Sequence, residues 1–246
     1  MKVVVPMAGR GSRFSERGIS TPKPLIPVGG NHPMVWWALH SLADVSYSHI
    51  IFIALQEHDD QYAIADQLRA IMQSRGNTAQ IDVLLLPDVT AGQLCTVLEA
   101  RQWIDTDEDV LVANCDTYIV SDLGAHIAGK PADCHGIIST VNAPGDRWSF
   151  ARTDTSGRVV EVAEKVRISD HASTGYYYFS NGRELCALGD AMIAAGETTR
   201  GEYYVIPVYQ KMIARGWRVD ISPVREMWDM GTPDSLAAFE THLNQR

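Results

Sequence analysis

Four short and almost wholly apolar runs recur through the first half of the chain: Val3 to Val5, "HIIFIAL" at 49–55, "IDVLLL" at 81–86 and "DVLVANC" at 109–115. Apolar runs of this kind, without strict polar alternation, suit strands buried on both faces. Between them, "PMVWWALHSLA", "QYAIADQLRAIM" and "QLCTVLEARQWI" place apolar residues three or four apart, the period of an amphipathic helix. Strand and helix therefore alternate through about residue 120. That order predicts an α/β, Rossmann-like fold: a mostly parallel central sheet sandwiched by helices, with binding loops at the carboxyl ends of its strands.

The pattern then changes. "GIISTVNA", "RWSFARTDTSGRVVEVAEKV" and "STGYYYFS" read as longer strands joined by turns, with "TSG" as a hairpin turn. Helices near 181–195 and 203–215 precede a strand at "WRVDIS", and "TPDSLAAFETHLNQR" reads as a final helix capped by Thr232 or Asp234. No linker, repeat or low-complexity stretch interrupts the sequence, so residues 1–246 read as a single domain with an inserted β-rich lobe. With 46% hydrophobic and 21% charged residues, the chain can bury a sizeable core.

Charge narrows the partners. A net charge of -9 at pH 7 opposes nonspecific binding to nucleic acid or to an anionic membrane, so a phosphate ligand would have to be held by local groups. The chain opens without a signal-like apolar run, and no window reaches the ~18 apolar residues of a membrane span, which makes the cytoplasm the default location. Cys95, Cys115, Cys134 and Cys186 form no C-x-x-C pair, consistent with unpaired thiols in a reduced compartment.

The first apolar run leads directly into "PMAGRGSRF". A glycine-rich turn after a buried strand frees backbone N–H groups to face an anion. The dinucleotide pattern G-x-G-x-x-G fails because Phe14 occupies the third glycine position, and the P-loop pattern fails because no G-K-[ST] follows. What remains is Gly9, Gly11 and Arg13, then Lys23 held between Pro22 and Pro24, whose rings restrict the backbone around the lysine. Taken alone, the stretch fits either a phosphate cradle with two placed cations or a tight turn with two solvated ones.

The stretch "MAGRGSRF…TPKPLIPV" resembles the signature of the sugar-phosphate nucleotidylyltransferases, including choline-phosphate cytidylyltransferase-like members, in which the loop arginine precedes the P-K-P lysine by ten residues, as Arg13 precedes Lys23. The resemblance continues in order through "VANCDTY", "VVEVAEKV", "STGYYYF", "TRGEYYVIPVYQKM" and "MWDMGTPDSL". It implies a GT-A-like nucleotidyltransferase fold, with residues 1–120 as nucleotide-binding half, 134–225 as acceptor-binding half, and 226–246 carrying a metal aspartate and the C-terminal helix. The implied reaction moves NMP from an NTP to a phosphorylated acceptor, such as a sugar 1-phosphate, with release of pyrophosphate, in the service of surface-polysaccharide precursor synthesis.

By the same resemblance, Ala8, Gly9, Gly11 and Ser12 cradle the triphosphate, Arg13 faces the departing pyrophosphate and Lys23 the transferred phosphate. Asp116 and Asp229 correspond to the family's Mg²⁺-binding pair; read singly, either is also an ordinary loop or turn residue. Glu164 and Lys165, on opposite faces of a strand, would hold an acceptor hydroxyl and the acceptor phosphate, or else belong to an exposed charged strand. Gly175 would admit the acceptor, Gly92 would present backbone to a nucleobase or serve as a helix N-cap, and Glu202 is either an acceptor contact or a helix N-terminal charge. Tyr176 to Phe179 read as alternating core and rim.

Several positions depart from the family pattern. Leu86 stands before Pro87 where thymidylyl and uridylyl relatives carry a base-reading glutamine, which argues against a thymine or uracil assignment, and "GSRF" in place of the commoner "GTRL", as in choline-phosphate cytidylyltransferases, favours CTP. Cys115 replaces a common glycine, and Ser149 stands where "YG" is usual, which points to an unusual acceptor. A homodimer through the aromatic β-rich lobe is a further expectation. The competing classes are a glycosyltransferase on a related fold, which would normally show D-x-D, and a noncatalytic relative, which would lack Arg13, Lys23, Asp116 or Asp229 equivalents; all four are present.

Overall fold

The computed structural model describes residues 1–30 and 32–245. From the N-terminus run β1 (Lys2–Pro6), α1 (Ser12–Ser15), a single 3-10 turn at Lys23–Leu25, the small β2 (Pro27–Val28) and β3 (His32–Pro33), and α2 (Met34–His40). Next come β4 (His49–Leu55), α3 (Gln56–Tyr62), α4 (Ile64–Ser74), β5 (Gln80–Leu86), α5 (Gln93–Leu98), α6 (Arg101–Ile104), β6 (Val110–Ala113), β7 (Thr117–Val120) and α7 (Leu123–Ala128). The remainder forms β8 (Cys134–Val141), β9 (Ser149–Thr153), β10 (Val159–Glu164), β11 (Ala172–Phe179), α8 (Gly182–Ala194), α9 (Pro207–Ala214), β12 (Arg218–Pro223), β13 (Glu226–Asp229) and α10 (Pro233–Leu243).

The apolar runs form the parallel centre of the main sheet, in the order β6, β1, β4, β5. Along β1 and β4 successive side chains enter opposite cores: Val4, Ile51 and Ile53 pack on one side, and Val3, Val5, Ile50 and Phe52 on the other. Burial on both faces explains why the β1, β4 and β6 runs lack polar alternation, whereas the β5 run, expected to be buried likewise, is the sheet's edge strand and stays half-exposed up to Leu86. The β-rich segment continues the same sheet. Antiparallel pairing of β11 with β6 joins it to the centre, β8 and β12 lie beyond, and β9 with β10 form the edge hairpin. Its turn is fixed by Asp154, whose Oδ1 accepts from the N–H groups of Ser156 at 2.8 Å and Arg158 at 3.1 Å.

Three predicted helices differ from the observed ones. The 61–72 stretch is cut at Ala63, which adopts φ 49° because Asp59 takes its N–H on the backbone carbonyl and the Ala65 N–H on Oδ1. The 93–104 stretch is two short helices, turned at a fully buried Ala100. The helix expected from 203 begins only at Pro207, because the Tyr203 N–H and C=O are taken by Ala91 and Leu94. At the other end, Thr232 is the cap of α10: its Oγ1 accepts from Ser235 N at 3.1 Å, while Ser235 Oγ accepts from Thr232 N at 3.1 Å. Arg246, the last residue of that predicted helix, lies outside the described residues. All four cysteines are free, and no helix among the described residues is long and apolar enough to cross a membrane.

Candidate active site

The chain leaves β1 at the carboxyl edge of the sheet and enters the glycine loop. A Cβ added at Gly9 would meet nothing within 4 Å, so the space over this residue is open. Gly11 is different. It caps α1 at φ 67°, and an added Cβ would stand 3.2 Å from the Lys23 Cβ, so its missing side chain lets Lys23 approach the loop. Phe14, the residue that breaks the dinucleotide fingerprint, is buried with Met34, Met230 and Phe239 and fastens α1 to α10. Arg10 ties the loop to the neighbouring strand ends, with Nε 3.2 Å from Glu57 Oε1 and an Nη 2.9 Å from Asp88 Oδ1.

A cleft of about 600 Å³ opens between this loop and the β-rich side, lined by Ala8, Gly9, Gly11, Lys23, Gly92, Asp116, Glu164, Gly175, Glu202 and Asp229 among others. Ten expected site residues therefore share one cavity. Ser12, Arg13 and Lys165 do not line it: Ser12 is the first residue of α1, Arg13 faces an adjoining depression beside Arg17 and Thr232, and Lys165 lies behind the lining residue Tyr204, whose hydroxyl it meets. Arg147 borders both hollows.

At the centre, Lys23 Nζ lies 2.6 Å from Asp116 Oδ2. Burial alone would lower the lysine and raise the aspartate. The ion pair overrides it in both: the Asp116 charge, assisted by Asp229, holds the Lys23 ammonium above the usual lysine range, and Lys23 holds the Asp116 carboxyl below the usual carboxylate range. Asp229 reaches the same place through register, because Asp229 in β13 pairs with Thr117 in β7, next to Asp116. A Cβ on Gly231 would come 2.9 Å from Asp229 Oδ1 and 3.0 Å from Asp116 Oδ2, so both carboxylates border one bare spot. The second Asp229 oxygen accepts from Arg147 at 2.9 Å. Among the described residues no group of three or more His, Cys, Asp or Glu could hold a metal ion, so a metal here would have two protein carboxylates. That set fits Mg²⁺, which keeps waters and substrate phosphates among its oxygen ligands. Burial pushes the Cys115 thiol up to about 12, leaving it a protonated neighbour rather than a nucleophile.

On the wall expected to face the nucleotide, Gly92 has φ 138°, and an added Cβ would be 2.5 Å from both N and O of Tyr203. The close approach allows Leu94 N to donate to Tyr203 O and Tyr203 N to Ala91 O, each at 3.0 Å. Gly175, φ 86°, leaves room that Asn114 fills: an added Cβ would fall 2.0 Å from Asn114 Nδ2. The Asn114 Oδ1 then accepts from Gln93 Nε2 at 2.7 Å, placing two amides side by side in the cleft.

The wall expected to hold the acceptor corrects one expectation. Glu164 is the last residue of β10 and Lys165 lies beyond it at φ 57°, so the two are not opposite faces of one strand. Glu164 is buried and accepts from Ser149 Oγ, itself 3.5 Å from the Tyr177 hydroxyl. Burial raises the Glu164 carboxyl, and the Ser149 hydrogen bond and Lys165 charge only partly offset it. Lys165 reaches the Tyr204 hydroxyl, which donates to Glu202 at 2.5 Å. The expected alternation of core and rim over Tyr176 to Phe179 does not hold: all four are buried because hydrophobic cores cover both faces of β11, and of the four Tyr177 borders the cleft. Sequence reading missed Gln93, Asn114, Arg147 and Tyr204 as site residues. Only Asn114 carried a signal, being adjacent to the Cys115–Asp116 strand end.

A glycine loop at a parallel strand's carboxyl end, a paired lysine, and two carboxylates in one cleft define an α/β nucleotidyltransferase. The chain belongs to the nucleotidyl transferase family, whose sequence profile matches residues 2–246. It is 26% identical over 243 residues to the bifunctional protein GlmU of Leifsonia xyli subsp. xyli, covering 93% of this chain and 46% of that protein, so it spans about half that relative's length. It is 23% identical over 260 residues to the UTP–glucose-1-phosphate uridylyltransferase AglF of Haloferax volcanii, covering 100% of this chain and 97% of that protein. The crystal structure of a nucleoside-diphosphate-sugar pyrophosphorylase from Vibrio cholerae RC9 superposes with a TM-score of 0.82 at 27% identity, covering 97% of this chain and 99% of that one.

Proposed function

We propose that this protein transfers a nucleoside monophosphate from an NTP to a phosphorylated acceptor, of sugar-phosphate type or similar, and releases pyrophosphate. The observation that carries the reading is the meeting of Lys23, Asp116 and Asp229 at the centre of a cleft that has the glycine loop on one wall and Glu164 on the other. In the reaction an acceptor phosphate oxygen bonds to the α-phosphorus while the bond from that phosphorus to the β-phosphate oxygen breaks. The acceptor phosphate is ionised near neutral pH, so the barrier is charge repulsion and alignment rather than proton removal. Lys23 stays cationic under its paired carboxylates and offsets charge at the transferred phosphate. The loop backbone from Ala8 to Ser12 holds the triphosphate, Arg13 receives the leaving pyrophosphate from the neighbouring depression, and Lys165 pairs with the acceptor phosphate. Asp116 and Asp229 would hold Mg²⁺, which supplies charge neutralisation on the phosphates.

CTP is the favoured nucleotide in this reading. Leu86 is buried in register with Leu55 and offers no polar edge to a base, while Gln93 and Asn114 present amides able to do so. The product would serve surface-polysaccharide synthesis, a reading that rests on family resemblance. The test is a pyrophosphate-release screen of four NTPs and dTTP against phosphorylated sugars, alcohols and amides. Release is expected with an acceptor of this class, fastest with CTP, and falling at least about 100-fold in Lys23→Ala and Asp116→Asn. Normal turnover by either variant, or no release with any acceptor, would refute the proposal.

A further inference from the structure

Lys165, Tyr204 and Glu202 form a relay on the acceptor wall that the transfer chemistry does not itself require. Lys165 sits in the left-handed region at φ 57°, which a lysine seldom adopts, and its N–H donates to Trp148 O at 3.0 Å. This turn at the end of β10 sends the side chain across to the 202–204 segment. There its ammonium lies 4.3 Å from the Tyr204 ring centroid and donates to the Tyr204 hydroxyl. The hydroxyl in turn donates to Glu202 Oε2 at 2.5 Å, so the phenol accepts from a cation and donates to an anion. Burial and the Glu202 hydrogen bond both raise the Tyr204 hydroxyl, which keeps its proton for that donation.

The platform is fixed through its backbone. Tyr203 is bonded through its backbone to Ala91 and Leu94 where Gly92 admits it, and Thr199 and Glu202 exchange backbone hydrogen bonds of 2.9 and 3.1 Å. Lys165 by contrast carries a flexible four-carbon stem with high rotamer entropy. An ammonium has three donors; one engages Tyr204, and among the described residues the other two have no hydrogen-bond partner and are available to an anion. We propose that Tyr204 is a positioning residue: its ring and hydroxyl hold the Lys165 ammonium in place before the acceptor arrives, so that the anionic group of the acceptor meets an ordered cation. The proposal rests on Lys165 pairing with the acceptor phosphate.

Inorganic phosphate is a sufficient probe, because the shared feature of the acceptors is the anion. The full chain is labelled with limiting acetic anhydride across a phosphate titration, and peptide mass spectrometry reads Lys165, with Lys130 as a remote reference. In the wild type phosphate should protect Lys165. In Tyr204→Phe, which keeps the ring, the protection midpoint should rise about three- to tenfold, as expected when an ordering cost moves to the binding step. Glu202→Gln should shift it in the same direction, and keeps the test open if Tyr204→Phe does not fold by thermal melting. Lys23 protection by CTP should be unchanged in both variants. Equal midpoints in wild type and variants would overturn the positioning role while leaving the acceptor reading intact. Absence of Lys165 protection in the wild type would overturn the acceptor reading and the proposal with it.

Discussion

Replacing Gly92 by alanine tests whether one close backbone approach holds Tyr203 against the turn before α5. The residue sits at φ 138° and ψ 175°, a region open essentially to glycine alone, and forcing another residue there costs about 1–3 kcal/mol. The new methyl would meet Tyr203 N and O at 2.5 Å, and neither is the end of a flexible side chain. The Tyr203 backbone must therefore move, breaking its two 3.0 Å hydrogen bonds with Ala91 and Leu94. At a net value of about 0.5–1.5 kcal/mol each, the total loss is about 2–6 kcal/mol, a large part of a normal domain's stability. With a urea slope of about 3 kcal/mol per M, the unfolding midpoint followed by tryptophan fluorescence should fall by about 0.7–2 M. Gly9→Ala is the matched control: nothing lies within 4 Å of its added Cβ, so stability should change by less than about 0.5 kcal/mol while nucleotide affinity falls. A Gly92→Ala midpoint within about 0.2 M of wild type would refute the argument that Tyr203 is held by this close approach.

Glu164→Gln probes the raised carboxyl. Burial favours its protonated form, so its contribution to stability is present at low pH and is lost as pH rises through the elevated folded value. Wild-type stability relative to the glutamine variant should accordingly fall in parallel urea melts as pH rises above the ordinary carboxylate range; a pH-independent difference would contradict the assignment. Thr232→Ala removes half of the reciprocal cap on α10 and should cost about 1 kcal/mol in the same melts, with Thr232→Ser retaining most of it.

The sequence exposed the elements whose burial is uniform. The β1, β4 and β6 runs are apolar because two cores meet on them, and no other context was needed to place them. Breaks in helices were less visible because their causes are distant or conformational. Ala63 is an unremarkable residue in the helical pattern, and only the two hydrogen bonds of Asp59 set it in the left-handed region. Nothing in the 203–206 stretch announces that Tyr203 spends its backbone groups on a segment more than a hundred residues earlier.

The same division governs the site. Lys23, Asp116 and Asp229 were legible because each stands in a motif, and the strand pairing of Thr117 with Asp229 then brings the carboxylates together. Partners defined by register across the sheet were not. Asn114 enters the cleft beside Gly175 because β6 and β11 run antiparallel there, and the glycine's missing Cβ is what admits it. Lys165 illustrates the stronger case: alternation along β10 assigns it the face opposite Glu164, but the strand stops one residue earlier and a positive φ redirects the side chain to Tyr204. A strand's period holds only while its ladder does, and binding sites gather where ladders end. The residues proposed to meet the acceptor therefore lie where sequence periodicity stops carrying information.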